Sequence, residues 1–133
     1  MWKRTIVVFV LATLFIGGTW HAWAGSAAPV AVDAVKAKIA RDVYAQMMAR
    51  WRNNEVYDIE DLELWSRNIL DADLDLATTA DKRVAAYEEH IKRTAELAAI
   101  AKSFAQTGQG LNSAALAAEF YRLDALSRSA KGK

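Results

Sequence analysis

The chain has 133 residues, of which 25% are charged, and its 17 basic residues nearly balance its 16 acidic ones. This composition is typical of one globular domain, so it excludes a disordered tail and gives no electrostatic reason to expect a nucleic-acid partner. The chain contains no cysteine, which excludes disulfide bonds, thiolate catalysis and cysteine metal sites. One proline and six glycines predict long, uninterrupted elements.

The first 24 residues have the three parts of a secretory signal peptide. Lys3 and Arg4 precede an apolar run over residues 5–16, and a small–x–small triplet ends at Ala24. The apolar run is shorter than the roughly 20 residues that cross a bilayer core. We therefore expect cleavage after Ala24 and export of residues 25–133 to the periplasm or the exterior, without membrane insertion. The alternative is an uncleaved N-terminal anchor.

The next part of the chain predicts a first helical hairpin over about residues 32–77. Apolar residues three or four apart indicate a helix that ends near Asn53, and Asp58 is a candidate cap for a second helix. The apolar face predicted for the first helix consists of Val32, Val35, Ile39, Val43, Met47 and Trp51. The stripe predicted for the second helix consists of Leu62, Trp65, Ile69, Ala72 and Leu76, with the spacing of a short coiled coil.

A second helical hairpin is predicted over about residues 80–129. Thr78 and Asp81 have the spacing of a capping box for a third helix, which should end at the glycines of residues 108–110. Asn112 is the candidate cap of a fourth helix. The apolar face predicted for that helix consists of Leu116, Phe120, Leu123 and Leu126.

The two predicted hairpins share a pattern at an offset of 54 residues. Leu62 and Ile69 correspond to Leu116 and Leu123, and the cap Asp58 corresponds to Asn112. One hairpin cannot bury its apolar stripe alone, so two should pack together as an all-α, up-down four-helix bundle, or pack against other copies in an oligomer. The alternative explanation of the repeat is that any two capped hairpins look alike.

Residues 104–125 carry a resemblance to a known family. Phe104 precedes the glycine turn at Gly108, and a capped helix with Leu116 and small residues follows. This segment resembles the helical-hairpin repeat of TolC-like outer-membrane efflux proteins, and residues 51–72 form a looser copy. Such channels are several times longer and carry membrane strands that are not readable here. The resemblance therefore implies helical hairpins in the cell envelope, and not transport.

Catalytic groups are scarce in the predicted mature chain. Its single histidine, His90, lies among charged residues and is expected on a solvated face. Ser66, Ser103 and Ser113 have no nucleophile motif around them. We therefore predict no catalytic residues.

The acidic run Asp71, Asp73 and Asp75 has the alternating carboxylates with which a calcium loop begins, but not the rest of its pattern. An EF-hand needs glycine at position 6 and glutamate at position 12, where this chain has Leu76 and Lys82. The run is therefore expected to be an acidic solvated face that a cation or a basic partner could neutralise. No cofactor and no metal are predicted.

Three aromatic residues are candidate contacts for a partner. Trp51 and Tyr57 flank the first predicted turn, and Tyr121 lies next to Phe120. Exposed large aromatics dominate binding hot spots. The alternative is that Trp51 and Tyr57 close the end of the bundle.

These observations predict an exported, non-enzymatic protein that acts in envelope interaction or scaffolding, through a protein partner or self-association. The alternative is a periplasmic chaperone or sensor that binds client chains through an apolar face. An enzyme whose site is completed by contacts between copies is a third possibility.

Overall fold

The computed structural model describes residues 27–53, 55 and 58–132, which form four α-helices and no strand. The predicted signal peptide lies outside the described residues. The all-α prediction is confirmed, and the third helix ends just before the glycines of residues 108–110, as predicted. The helices are α1 (Ala27–Arg52), α2 (Ile59–Leu76), α3 (Ala80–Gln106) and α4 (Asn112–Lys131).

The helix starts confirm one predicted cap and correct two others. The Asp58 carboxylate accepts a hydrogen bond from the backbone N–H of Glu60 at 3.0 Å, as its position before α2 predicts. The cap of α3 is Thr79 rather than Thr78, and its hydroxyl accepts from the N–H of Lys82. At α4 the cap position is held by Leu111, which has no side-chain oxygen, because Asn112 already lies inside the helix.

The glycine turn after α3 is formed as predicted. Gly108 has a φ of +73°, a conformation that glycine adopts without a Cβ clash. The N–H groups of Gln109 and Gly110 donate to the carbonyl of Phe104 at 2.9 and 3.1 Å. These bonds satisfy the free end of α3 and reverse the chain into α4.

The helices pack as two antiparallel hairpins that join into a bundle. α1 packs on α2, α3 packs on α4, and α2 contacts both α3 and α4. In the described residues, α1 and α4 do not pack along each other. They are therefore the edge helices of a bundle that is open on one side, and each can keep a lateral face uncovered.

The core draws on all four helices. It consists mainly of Tyr44, Met48 and Trp51 from α1, Ile59, Leu62 and Ile69 from α2, Leu97 and Ala101 from α3, and Ala118 from α4. The predicted face of α1 is therefore wrong in its first half, since Val32, Val35 and Ile39 are all exposed. The buried side of α1 instead carries Ala37, Ala40, Tyr44, Met48 and Trp51.

This correction has a physical reason. α1 carries two apolar faces, and only one can pack on α2 and α3. Trp51 is common to both faces, and Tyr44 and Met48 are larger apolar groups to remove from water than the valines of the first half of α1. Salt bridges from Arg41 to Asp73 of α2 and from Arg52 to Glu96 of α3 also fix this orientation of α1.

Candidate interaction surface

The outer face of α4 carries a row of large apolar side chains. Leu116 is 73% exposed and Phe120 is 65% exposed, and the row continues through Leu123 and Leu126. Their spacing of three to four residues puts them along one side of the helix. We call Leu116, Phe120, Leu123 and Leu126 the α4 row. The prediction that these residues face the core is wrong.

The α4 row points outward because small residues occupy the opposite face of the helix. Ala118 and Ala125 are fully buried, and Ser129 is nearly so. On α3, Ala101 is buried and Ala98 half-buried in the same cluster. Small side chains on both helices let the backbones approach closely, and the bulky residues of α4 are left on the solvent side. The sequence signal for this arrangement is the second, alanine-rich face of α4, which competes with the leucine face for burial.

The first half of α1 carries a second exposed apolar row. Val32, Val35 and Ile39 are each more than half exposed, and we call them the α1 row. Ile39 also lines a groove between α1 and α2, together with Trp65 and Ala72. Each edge helix of the bundle therefore has one apolar face in the core and another in solvent.

The charges that flank these rows are paired within the same helix. The Arg122 guanidinium donates to the Glu119 carboxylate at 2.8 Å, and this pairing lowers the pKa of that carboxyl. Each row is thus bordered by ion pairs that need no external counterion. The pairs are Lys36–Asp33, Lys38–Asp42, Glu119–Arg122 and Asp124–Arg128.

The three predicted aromatic contacts have different surroundings. Trp51 is only 7% exposed, and its ring meets that of Phe104 edge to face at a centroid distance of 5.6 Å. Trp51 therefore closes one end of the core, the alternative that the sequence left open. Tyr121 is half-buried, and its pKa is raised first by burial and then by Glu60 of α2. Tyr57 lies outside the described residues.

A buried polar cluster joins α2 to α3. The Ser66 hydroxyl lies 3.0 Å from His90 Nδ1, and Arg93 Nε donates to the same hydroxyl at 3.1 Å. The expectation that His90 is solvated is wrong, because its side chain is only 1% exposed. Glu89 and Lys92 are exposed on other sides of α3, whereas Arg93 reaches the same hydroxyl as His90. The Ser66 hydroxyl gives the buried imidazole a polar partner in place of water.

The electrostatics of this cluster favour a neutral histidine. Burial first, and then the nearby charges of Arg93, Arg128 and Arg67, lower the pKa of His90 to about 4, and Asp124 opposes this shift. Arg93 can only donate, so the Ser66 hydroxyl accepts a hydrogen bond from it and can donate its own hydrogen to a neutral Nδ1. With both side chains buried, the arrangement stabilises the α2–α3 contact.

Two of the three acidic residues in the α2 run pair with basic residues of α1. Asp73 forms a salt bridge with Arg41, and Asp75 lies 3.5 Å from the Lys36 ammonium. The basic partner that the sequence left open is therefore the neighbouring helix. Among the described residues, no group of three or more acidic or histidine side chains could hold a metal ion.

Comparison with known proteins adds no relative. No family model, no curated protein and no solved structure matches the chain. The resemblance to TolC-like repeats stays a prediction. Over the residues that the structure describes, no helix combines the length and apolar character needed to span a membrane.

Proposed function

We propose that the chain is an exported, non-enzymatic helical protein that acts in envelope interaction or scaffolding, through a protein partner or self-association. The observation that carries this proposal is the inverted arrangement of α4. Its alanines are buried while its leucines and phenylalanine face solvent. Ordered apolar rows of this kind are typical of interaction sites, since isolated exposed leucines are common but aligned ones are not.

The chemistry of the α4 row supports protein recognition. Phe120 lies in the middle of the row, between Leu116 and Leu123, and a large aromatic at the centre of a patch is typical of a binding hot spot. The row is apolar and its flanking charges are paired, so its partner should present an apolar surface rather than a strongly charged one. Nucleic acid is a poor match for such a surface.

A photo-crosslinking experiment in cells tests this proposal. A photoreactive residue at Phe120 should capture one dominant protein, and the same probe at Leu64, an exposed leucine of α2 outside both rows, should not. The captured species is identified by mass spectrometry. Equal capture at both positions, or none at Phe120, would contradict the proposal.

The same exposed rows also support the alternative function, a chaperone or sensor that binds client chains. That function predicts many unrelated exported chains crosslinked at Phe120 instead of one. It also predicts that added unfolded polypeptide competes for the row. A single adduct that unfolded polypeptide does not displace would exclude this alternative.

Export is tested by the mass of the chain recovered from fractionated cells. We expect the mass of residues 25–133 in the periplasmic or secreted fraction, since cleavage is proposed after Ala24. The full-length mass in the membrane fraction would instead support the uncleaved anchor.

A further inference from the structure

We propose that the α1 row of one copy packs against the α4 row of a second copy of the chain. This inference rests on the proposed function, in that it takes the two rows to be binding faces, and it names the partner. Both rows are on edge helices, and in the described residues neither is covered by another part of the chain. An approaching copy can therefore reach both without any change of fold.

The sizes of the side chains favour this pairing of unlike rows. The α1 row is built from Val32, Val35 and Ile39, which are compact and β-branched. The α4 row carries leucines and Phe120, which are longer. Facing layers interdigitate best when large residues meet smaller ones, and β-branched residues opposite leucines suit helix–helix seams. Two α4 rows facing each other would bring large residues against large ones.

The lengths of the rows also match. Val43, which is half-buried, continues the α1 row by one turn, so the row from Val32 to Val43 is about 16 Å long at 1.5 Å per residue. The α4 row from Leu116 to Leu126 is about 15 Å long by the same measure. Each row can cover the other from end to end.

The charges around the rows suit a copy of the same chain. The flanking acidic and basic groups are already paired within each helix, as Glu119 is with Arg122 and Lys38 with Asp42. A second copy therefore meets no unpaired like charge at either row.

The contact area indicates that both rows of each copy are used. A stable interface buries about 800 Å² on each partner, which is more than one row of three or four side chains can supply. A contact between two α4 rows would leave the α1 row in water. In a reciprocal dimer the α1 row of each copy packs on the α4 row of the other, so both rows of each copy contribute to one interface.

Because the natural chain contains no cysteine, an introduced thiol is the only one available for crosslinking. Val35→Cys places a thiol in the α1 row, and Ser127→Cys places one on the same side of α4, one turn beyond Leu123. Both changes are nearly isosteric. The two single variants, each expressed as the full chain and purified, are mixed and treated with a short bis-maleimide. Ser103→Cys, on an exposed position of α3, replaces Ser127→Cys in the matched control.

We expect a crosslinked dimer from the mixture of Val35→Cys with Ser127→Cys, and loss of it in the control mixture. Adding Phe120→Glu to the Ser127→Cys chain should abolish the dimer. Adding Leu64→Glu should leave it in place, since Leu64 is exposed outside both rows. Circular dichroism checks that each variant keeps its helices.

Two results would overturn the inference. One is a Ser127→Cys chain that crosslinks to itself as efficiently as to the Val35→Cys chain, which would show paired α4 rows. The other is a chain that sediments as a monomer at every concentration. A monomer that still captures one envelope protein at Phe120 in cells would overturn self-pairing while leaving the proposed function intact.

Discussion

His90 is kept neutral in the core by burial and by the arginines that surround it. The groups that face it are Ser66 and Arg67 of α2, Arg93 of α3, and Asp124 and Arg128 of α4. Its pKa of about 4 lies below the ordinary value of 6.5, so between these values the unfolded chain binds more protons than the folded one. Stability contributed by His90 is therefore complete above pH 6.5 and falls as the pH decreases.

We predict that the free energy of unfolding declines by about 3 kcal/mol between pH 7 and pH 4 on account of His90 alone. Urea titrations of the natural chain and of His90→Gln over this range measure the effect. The carboxylates titrate in both proteins. The difference between the two plots of unfolding free energy against pH therefore isolates the effect of the histidine. Parallel slopes would show that His90 gains a proton freely in the folded protein.

Removing one or the other of two buried hydroxyl groups should have different effects on the free energy of unfolding. Ser66→Ala leaves Arg93 Nε without its acceptor in a buried site, and we expect a loss of about 1–3 kcal/mol. Among the residues that the structure describes, the buried Tyr44 hydroxyl has no hydrogen-bond partner, so Tyr44→Phe should leave stability unchanged or raise it. Urea unfolding at pH 7 measures both. A stabilising Ser66→Ala or a strongly destabilising Tyr44→Phe would contradict this description of the core.

At the scale of the element, α4 has its small residues inside and its large residues outside. We predict that Ala118→Leu lowers the free energy of unfolding by about 1–3 kcal/mol or more, because the added atoms would separate α4 from α3. Leu116→Ala should cost the folded monomer less than about 0.5 kcal/mol, since that side chain is mostly exposed. Both are measured by urea unfolding at low protein concentration. A larger loss of stability for Leu116→Ala than for Ala118→Leu would show that the leucine row lies in the core.

The sequence of α4 could not settle which of its faces is buried. Leu116 and Leu123 repeat the spacing of Leu62 and Ile69 in α2, and those two residues are fully buried. The repeat therefore predicted the same face for both helices. It failed because a leucine face and an alanine face can each pack on α3, and only the close approach between Ala-rich helices selects the second.

At the scale of the whole molecule, the open side of the bundle should make stability depend on concentration. If copies pair through their rows, the melting temperature should rise with protein concentration, because association stabilises the folded state by mass action. Calorimetry over a hundredfold range of concentration measures this rise. Phe120→Glu should abolish the dependence and Leu64→Glu should preserve it. A melting temperature independent of concentration in the natural chain would argue against association.

The sequence by itself determined the local features of this protein. Capping groups, glycine and apolar spacing act within a few residues, so the four helices, the Asp58 cap and the turn at Gly108 follow from them. The pairing of Ser66 with His90, the burial of Trp51 and the exposure of the α1 and α4 rows were decided only by the tertiary structure. The exposure of the two rows depends on which of two apolar faces of a helix packs against its neighbours. That choice is made by the fit between helices distant in sequence, which no local pattern records.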